Sequence, residues 1–498
     1  MIPILSIVLF LPIVASVPAY LLLKRSRASG MWFTLGVTVV ELLLAVYVFY
    51  FVYANFGGLS GSGTGQYALT EEYSWVSVAS FGVNYLVRAD GLSSPLVLAT
   101  ALLTVFAVIG SRRLIDKAEP AYYALILLFE GAIVGVFLSL DLVLFYFFWD
   151  LVMVPMFFLI GIWGGDRKTY AAMKFMIFIF TGSMILLLAL MAAYMGVSPT
   201  TFDIPSLAGR IPAAVQYLPL LASFIGFGIK LPVFPLHSWL PDAYTQAPAP
   251  VAVLLAGVQS AMGGYGLIRI SIGLFPEAAH QWAWAFMAVG AVTMFYGAGV
   301  AILSKNLKSM FAYTSLAGMG FVVFGSFSTM ASGSIIGMQG AILEMFVHAF
   351  TAGSLFMLAG YIQKGLGTTD IPLMSGLQRL VPRGGLLLVF SCVGAMALPP
   401  FGSFVAEVLV IVGGIHATPY AAVTILVPVM IGGYMLWMIK RVVLSPPPAG
   451  ASGVDIQAID AGVLALYLVP LIVMMFFSVL VLGPAAPVVQ HILQLVGH

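Results

Sequence analysis

The sequence predicts an all-α polytopic membrane protein with about 14 transmembrane helices, built around two inverted five-helix repeats with broken helices 7 and 12. Three observations predict it. Hydrophobic residues make up 62% of the 498 positions and charged residues only 8%, against about a quarter charged in soluble domains, which excludes a water-soluble chain. Apolar stretches near the roughly twenty residues that a bilayer core requires recur from end to end. Two of them are interrupted by prolines beside an ionisable residue, the pattern of discontinuous helices over a midplane site.

The spans follow in order. Span 1, residues 2 to 23, has no basic residue before it and Lys24, Arg25 and Arg27 after it, so it reads as a retained helix and not a signal peptide. Span 2 (31 to 55) carries Glu41 and precedes a Gly/Ser-rich external linker, Gly57 to Gly65. Span 3 (92 to 110) leads into the basic run Arg112, Arg113 and Lys117. Spans 4 (121 to 140) and 5 (142 to 163) are nearly contiguous, and span 6 (170 to 195) holds Lys174 close to one end, where a lysine can snorkel. Span 7 (213 to 236) is interrupted at Leu231-Pro232-Val233-Phe234-Pro235. Spans 8 to 11 cover 250 to 274, 281 to 303, 309 to 329 and 335 to 363. Span 12 (384 to 414) is interrupted at Leu398-Pro399-Pro400-Phe401-Gly402, and spans 13 (417 to 439) and 14 (459 to 482) complete the set.

Of the 20 Lys and Arg residues, fifteen lie in odd-numbered connections and three (Arg88, Arg210, Arg269) in even ones. The positive-inside rule then puts odd loops in the cytoplasm and both termini outside, in a prokaryotic cytoplasmic membrane. Two broken spans five helices apart imply repeats over spans 4 to 8 and 9 to 13. The organisation is therefore 1-110 (helices 1 to 3), 111-275 (first repeat), 276-442 (second, inverted repeat) and 443-498 (helix 14). A net charge of +2 argues against nucleic acid as a partner, and the single cysteine, Cys392, forms no intrachain disulfide.

Ionisable groups inside the spans carry the function. A lysine at the bilayer centre costs roughly 2.5–3.5 kcal/mol on insertion scales, and prolines free carbonyls that lipid cannot satisfy, so Lys230 at the span 7 break marks a protein-buried ion path. Asp150 in span 5 is the expected partner of Lys230, and Glu130 in span 4 is a further buried acid. Glu344 and His348, four apart, share one face of span 11 and can pass a proton between them. Glu407 lies one to two turns beyond the span 12 break, where it would end a lateral axis. His237, Trp239 and Asp242 follow the first break and line an external half-path or cap the broken helix. Groups whose pKa values are drawn together by burial and opposite charge let protons hop along such a row. No metal cluster, nucleotide loop, Cys motif or nucleophile triad accompanies it, so the chain moves charge and does no redox chemistry itself.

The stretches DLVLFYFFWDLVMVPMFFLIGIW (Asp141 to Trp163), GFGIKLPVFPLHSWLPDAYTQAP (Gly226 to Pro248), NLKSMFAYTSLAGMG (Asn306 to Gly320), VHAFTAGSLFMLAG with His348, and LPPFGSFVAEVLV with Glu407 together resemble the antiporter-like M subunit (chain 4) of respiratory complex I. The similarity covers essentially the whole chain, including Arg88 to Leu96. It implies a proton-translocating membrane-arm subunit of an NADH:quinone oxidoreductase type complex. Partners would be other membrane-arm subunits in the lipid bilayer, with FMN or FAD, iron-sulfur clusters and quinone held in other subunits. The donor would be NADH, a reduced deazaflavin or ferredoxin. On the family pattern Asp150 stands at the position of a glutamate, Lys230 is the paired lysine, His348 lies on the axis, and Glu407 is the terminal acid. One departure stands out: Ala261 occupies the place of the usual helix 8 lysine, so water held by Gln259, Ser260 or Tyr265 has to bridge the gap. The alternatives are a subunit of a multisubunit cation/proton antiporter or membrane-bound hydrogenase, or a non-pumping structural subunit of the arm; the sequence leaves proton against sodium open.

Overall fold

The computed structural model describes residues 3–56, 67–78, 81–117 and 119–497; the Gly57 to Gly65 linker lies outside the described residues. The chain opens with α1 (Ile4–Arg25) and α2 (Arg27–Phe56), then an antiparallel hairpin of β1 (Leu69–Val78) and β2 (Phe81–Ala89). There follow α3 (Ser93–Leu114), α4 (Glu119–Leu138), α5 (Leu142–Trp163) and α6 (Lys168–Met195). The first broken pair is α7 (Tyr217–Lys230) and α8 (Leu240–Gln246), before α9 (Ala249–Ile272), α10 (Ala283–Leu303), α11 (Leu307–Ser332) and α12 (Ile336–Leu366). The second is α13 (Pro382–Ala395) and α14 (Gly402–Ala417), followed by α15 (Pro419–Leu444), α16 (Ala458–Phe476) and α17 (Val479–Gln494).

Among the described residues, 12 helices are long and apolar enough to cross a membrane. Each remaining interrupted span is divided between two shorter helices. Span 7 stops at Lys230, six residues before its expected end, because Pro232 and Pro235 cannot donate to a helical ladder. Span 14 stops at Phe476, and the chain resumes as the separate α17 instead of continuing to residue 482. The hairpin was not foreseen; its Glu71 carboxylate accepts from the backbone N–H groups of Leu5 and Ser6 at 2.7 and 3.1 Å, satisfying donors that the start of α1 leaves free.

Burial runs inside out relative to a soluble protein. Every residue in the most apolar windows of α9 and α12 is buried, whereas only a third of that of α1 is. Large side chains such as Val14, Leu43, Leu188 and Val429 stand exposed on the peripheral helices α1, α2, α6 and α15, an apolar surface that only lipid or partner subunits can cover. The central helices α9, α11 and α12 therefore hold polar side chains away from lipid, Gln259, Ser260, Ser315, Glu344 and His348 among them.

Candidate proton-transfer axis

α7 ends at Lys230, and the irregular stretch behind it is held by Trp239, whose indole N–H donates to Ile229 O at 2.8 Å. That bond satisfies a carbonyl which the end of the helix would leave bare in an apolar interior. Lys230 is buried, its ammonium 2.8 Å from Trp149 O and 3.7 Å from the centre of the Trp149 ring. Trp149 is fixed in turn by Ser183 Oγ on α6, at 3.1 Å. Asp150 acts on Lys230 through space, but the two form no ion pair within 4 Å among the described residues, and Asp150 Oδ1 is buried without a partner. The expected partnership is thus electrostatic and not a contact: successive helical residues point about 100° apart, and the lysine touches the ring and carbonyl of Trp149 while feeling the charge of Asp150.

The second group lies between α11, α12 and α14. Glu344 Oε1 is 3.6 Å from His348 Nδ1, so the i, i+4 arrangement on one face is realised. His348 Nε2 is 2.8 Å from Ser315 Oγ, and Glu407 lines the same small cavity as Glu344 and His348. The cavity, about 20 Å³, has room for about one water. Tyr434, which sequence reasoning missed, bonds Thr314 at 2.8 Å in the wall of this chamber.

Between the two groups stands α9, with a π-type turn over Leu255–Gln259. Its glycines serve close packing: a Cβ at Gly263 would lie 2.6 Å from Leu231 N, and one at Gly264 2.5 Å from Met345 Sδ. Gln259 is buried with both amide atoms unpartnered, as a water-holding group requires. Ser260 donates to Ala256 O at 2.6 Å. Tyr265 does not face this gap: its ring packs edge-on to Phe137 and under Arg269, so its expected part in the bridge is corrected. Tyr244 on α8 takes that place, its hydroxyl near Ser260 and Ser315 and 3.2 Å from Leu255 O. The run of motif residues around it hid its role, since nothing in spacing distinguishes it from a packing aromatic.

Two further expectations need correction. Lys174 does not merely snorkel; its ammonium meets Asp242 Oδ2 at 2.8 Å. Gln246 O also accepts from Gly165 N, so the stretch from His237 to Asp242 lies toward the 164–168 connection, an odd-numbered one. The half-path is therefore on the basic-loop face and not external, because the chain enters span 7 from an even-numbered connection and continues through the break to the opposite face. His237 packs against Tyr296 and Phe234 with Nδ1 buried and unpartnered. On that same face a polar vestibule of about 670 Å³ is lined by Asp116, Asp166, Gln246, Lys308 and Asp370. Arg269, counted above as a loop cation, is buried in α9 and ion-paired with buried Asp90. Glu130 is fully buried beside Glu41 and Thr104, away from Lys230, with both carboxyl oxygens unpartnered.

Comparison with known proteins adds independent findings. The sequence model of the family described as NADH:quinone oxidoreductase/Mrp antiporter, TM, matches residues 139–432. NAD(P)H-quinone oxidoreductase chain 4 1 of a Picosynechococcus species is 36% identical over 84% of this chain and 76% of the relative. Chain 4-1 of a Synechocystis species is 33% identical over 99% of this chain and 94% of that protein. Among solved structures, a chain of respiratory complex I from Thermus thermophilus superposes with a TM-score of 0.88 at 25% identity, covering 99% of this chain and 100% of that one. A chain of the Mrp complex from Dietzia sp. shares the fold, with a TM-score of 0.84 at 20% identity and full coverage of both.

Proposed function

This chain belongs to the NADH:quinone oxidoreductase/Mrp antiporter membrane-subunit family, and from that premise we propose that it is the M-type (chain 4) subunit of a complex I type oxidoreductase, moving protons across the membrane while partner subunits carry electrons to quinone. The observation that carries the reading is Lys230, buried at the break of α7 against Trp149 and within the field of Asp150. A buried ammonium without a contacting anion is held at a cost that a purely structural residue has no reason to bear. In this reading electron transfer in the partners perturbs Asp150, and Lys230 gives up its proton toward α9. Glu344, His348 and Glu407 take it up in the chamber beyond, and Lys230 is recharged from the vestibule on the basic-loop face. Flavin, iron-sulfur clusters and quinone are assigned to other subunits. The chain would cross the membrane fourteen times, counting each broken pair as one crossing, with inverted repeats over crossings 4 to 8 and 9 to 13 and both termini outside.

Lys230→Ala tests it. The assembled complex in sealed vesicles should lose at least nine-tenths of its proton translocation, read by quenching of an acridine pH dye. Wild-type translocation in an assembled Lys230→Ala complex would reject the assignment.

A further inference from the structure

We propose that Tyr244 and Ser315 form a hydroxyl relay carrying protons between the Lys230 half of the axis and His348, in place of the side chain that Ala261 lacks. The inference rests on the proton-translocating reading above. Tyr244 is fully buried on α8, immediately beyond the break that carries Lys230. Its hydroxyl donates to Leu255 O at 3.2 Å and lies near the hydroxyls of Ser260 and Ser315. Ser315, on α11, is 2.8 Å from His348 Nε2, and His348 leads to Glu344. Ser260 spends its own proton on Ala256 O, which leaves its oxygen lone pairs open to accept. Beside it, both polar atoms of the Gln259 amide are buried without a protein partner.

The surroundings favour a neutral carrier. The Tyr244 ring is wedged edge-on between Trp239 and Phe356, at 6.1 and 5.5 Å between ring centres. A charge lodged there would be costly, whereas a hydroxyl can take up one proton as it gives up another. In the step proposed, the proton released by Lys230 crosses by water held at Gln259 and Ser260 and bonds to Tyr244 Oη. The proton already on that oxygen turns from Leu255 O to pass to Ser315 Oγ, and the proton on Ser315 passes to His348 Nε2. One O–H bond forms and one breaks at each hydroxyl, so neither keeps a charge; the histidine gains one proton and Lys230 has lost one. Rotation of the two hydroxyls resets the relay.

The test uses Tyr244→Phe, Ser315→Ala and the double variant in the assembled complex in sealed vesicles, reading acridine quenching at matched electron flux. Each single variant should lower translocation at least five-fold, and the double variant should fall no further than the more severe single one, because two links of one series chain cannot be broken twice. Wild-type translocation in Tyr244→Phe would overturn the relay. So would losses that multiply in the double variant, since these mean two independent packing defects. Lys230→Ala in the same vesicles separates the levels. If it also pumps as wild type, the underlying function fails; if it is dead while Tyr244→Phe is normal, the relay alone fails.

Discussion

Lys230 contacts the face and carbonyl of Trp149 and feels the charge of Asp150 without an ion pair, which decides what substitution of Asp150 should do. A contact ion pair is sensitive to the length of its acid; a charge acting through space is sensitive mainly to its presence. Asp150→Ala should therefore reduce translocation about ten-fold or more, while Asp150→Glu should stay within about two-fold of wild type, because the added methylene lengthens reach without loss of charge. Proton transfer per electron in sealed vesicles distinguishes them, and equal damage from both would show that the carboxyl is held in a specific bond. Much of this site was legible in the chain. Lys230 announced itself as a charge at a proline break, and Glu344 and His348 by their spacing. Tyr244, Ser315 and Tyr434 were not legible, since a hydroxyl in an apolar helix gains meaning only from what a distant segment places opposite it.

The same logic governs the elements. Hydropathy located the long helices because lipid demands a minimum apolar length, yet it failed at the hairpin of β1 and β2, which is short and polar on one face and so leaves no hydropathy signal of its own. The count of basic residues also assigned Arg269 to a loop, although it falls within span 8 and the second π-type turn of α9, Leu267–Ile272, carries that arginine inward to Asp90. Asp90 is 1% exposed and Arg269 8%, so neither charge has water to fall back on. Removing one partner of such a pair costs about 3–5 kcal/mol, whereas replacing both with apolar groups is often neutral. Asp90→Ala should thus lower the thermal unfolding midpoint of the detergent-solubilised complex markedly. Asp90→Ala combined with Arg269→Met should recover most of the loss. A double variant as unstable as the single one would show that the arginine is needed for something other than its charge balance.

At the scale of the whole molecule, the reassignment of Arg269 sharpens the orientation argument. With it removed from the loops, the even-numbered connections retain only Arg88 and Arg210, against fifteen basic residues in the odd ones. The vestibule beside Gln246 and Lys308 opens on that basic face, and so does the Lys174–Asp242 pair, which makes the face consistent as the side from which protons are drawn. Charge bias of this size fixes topology through the insertion machinery, so Lys305 is predicted to lie in the cytoplasm and Arg210 outside. The one native cysteine, Cys392, is buried, which makes single-cysteine labelling clean. In right-side-out vesicles a membrane-impermeant maleimide should label Arg210→Cys and leave Lys305→Cys unlabelled until the membrane is permeabilised. The reverse pattern would invert the molecule, and with it the direction of proton movement proposed for the row from Lys230 to Glu407.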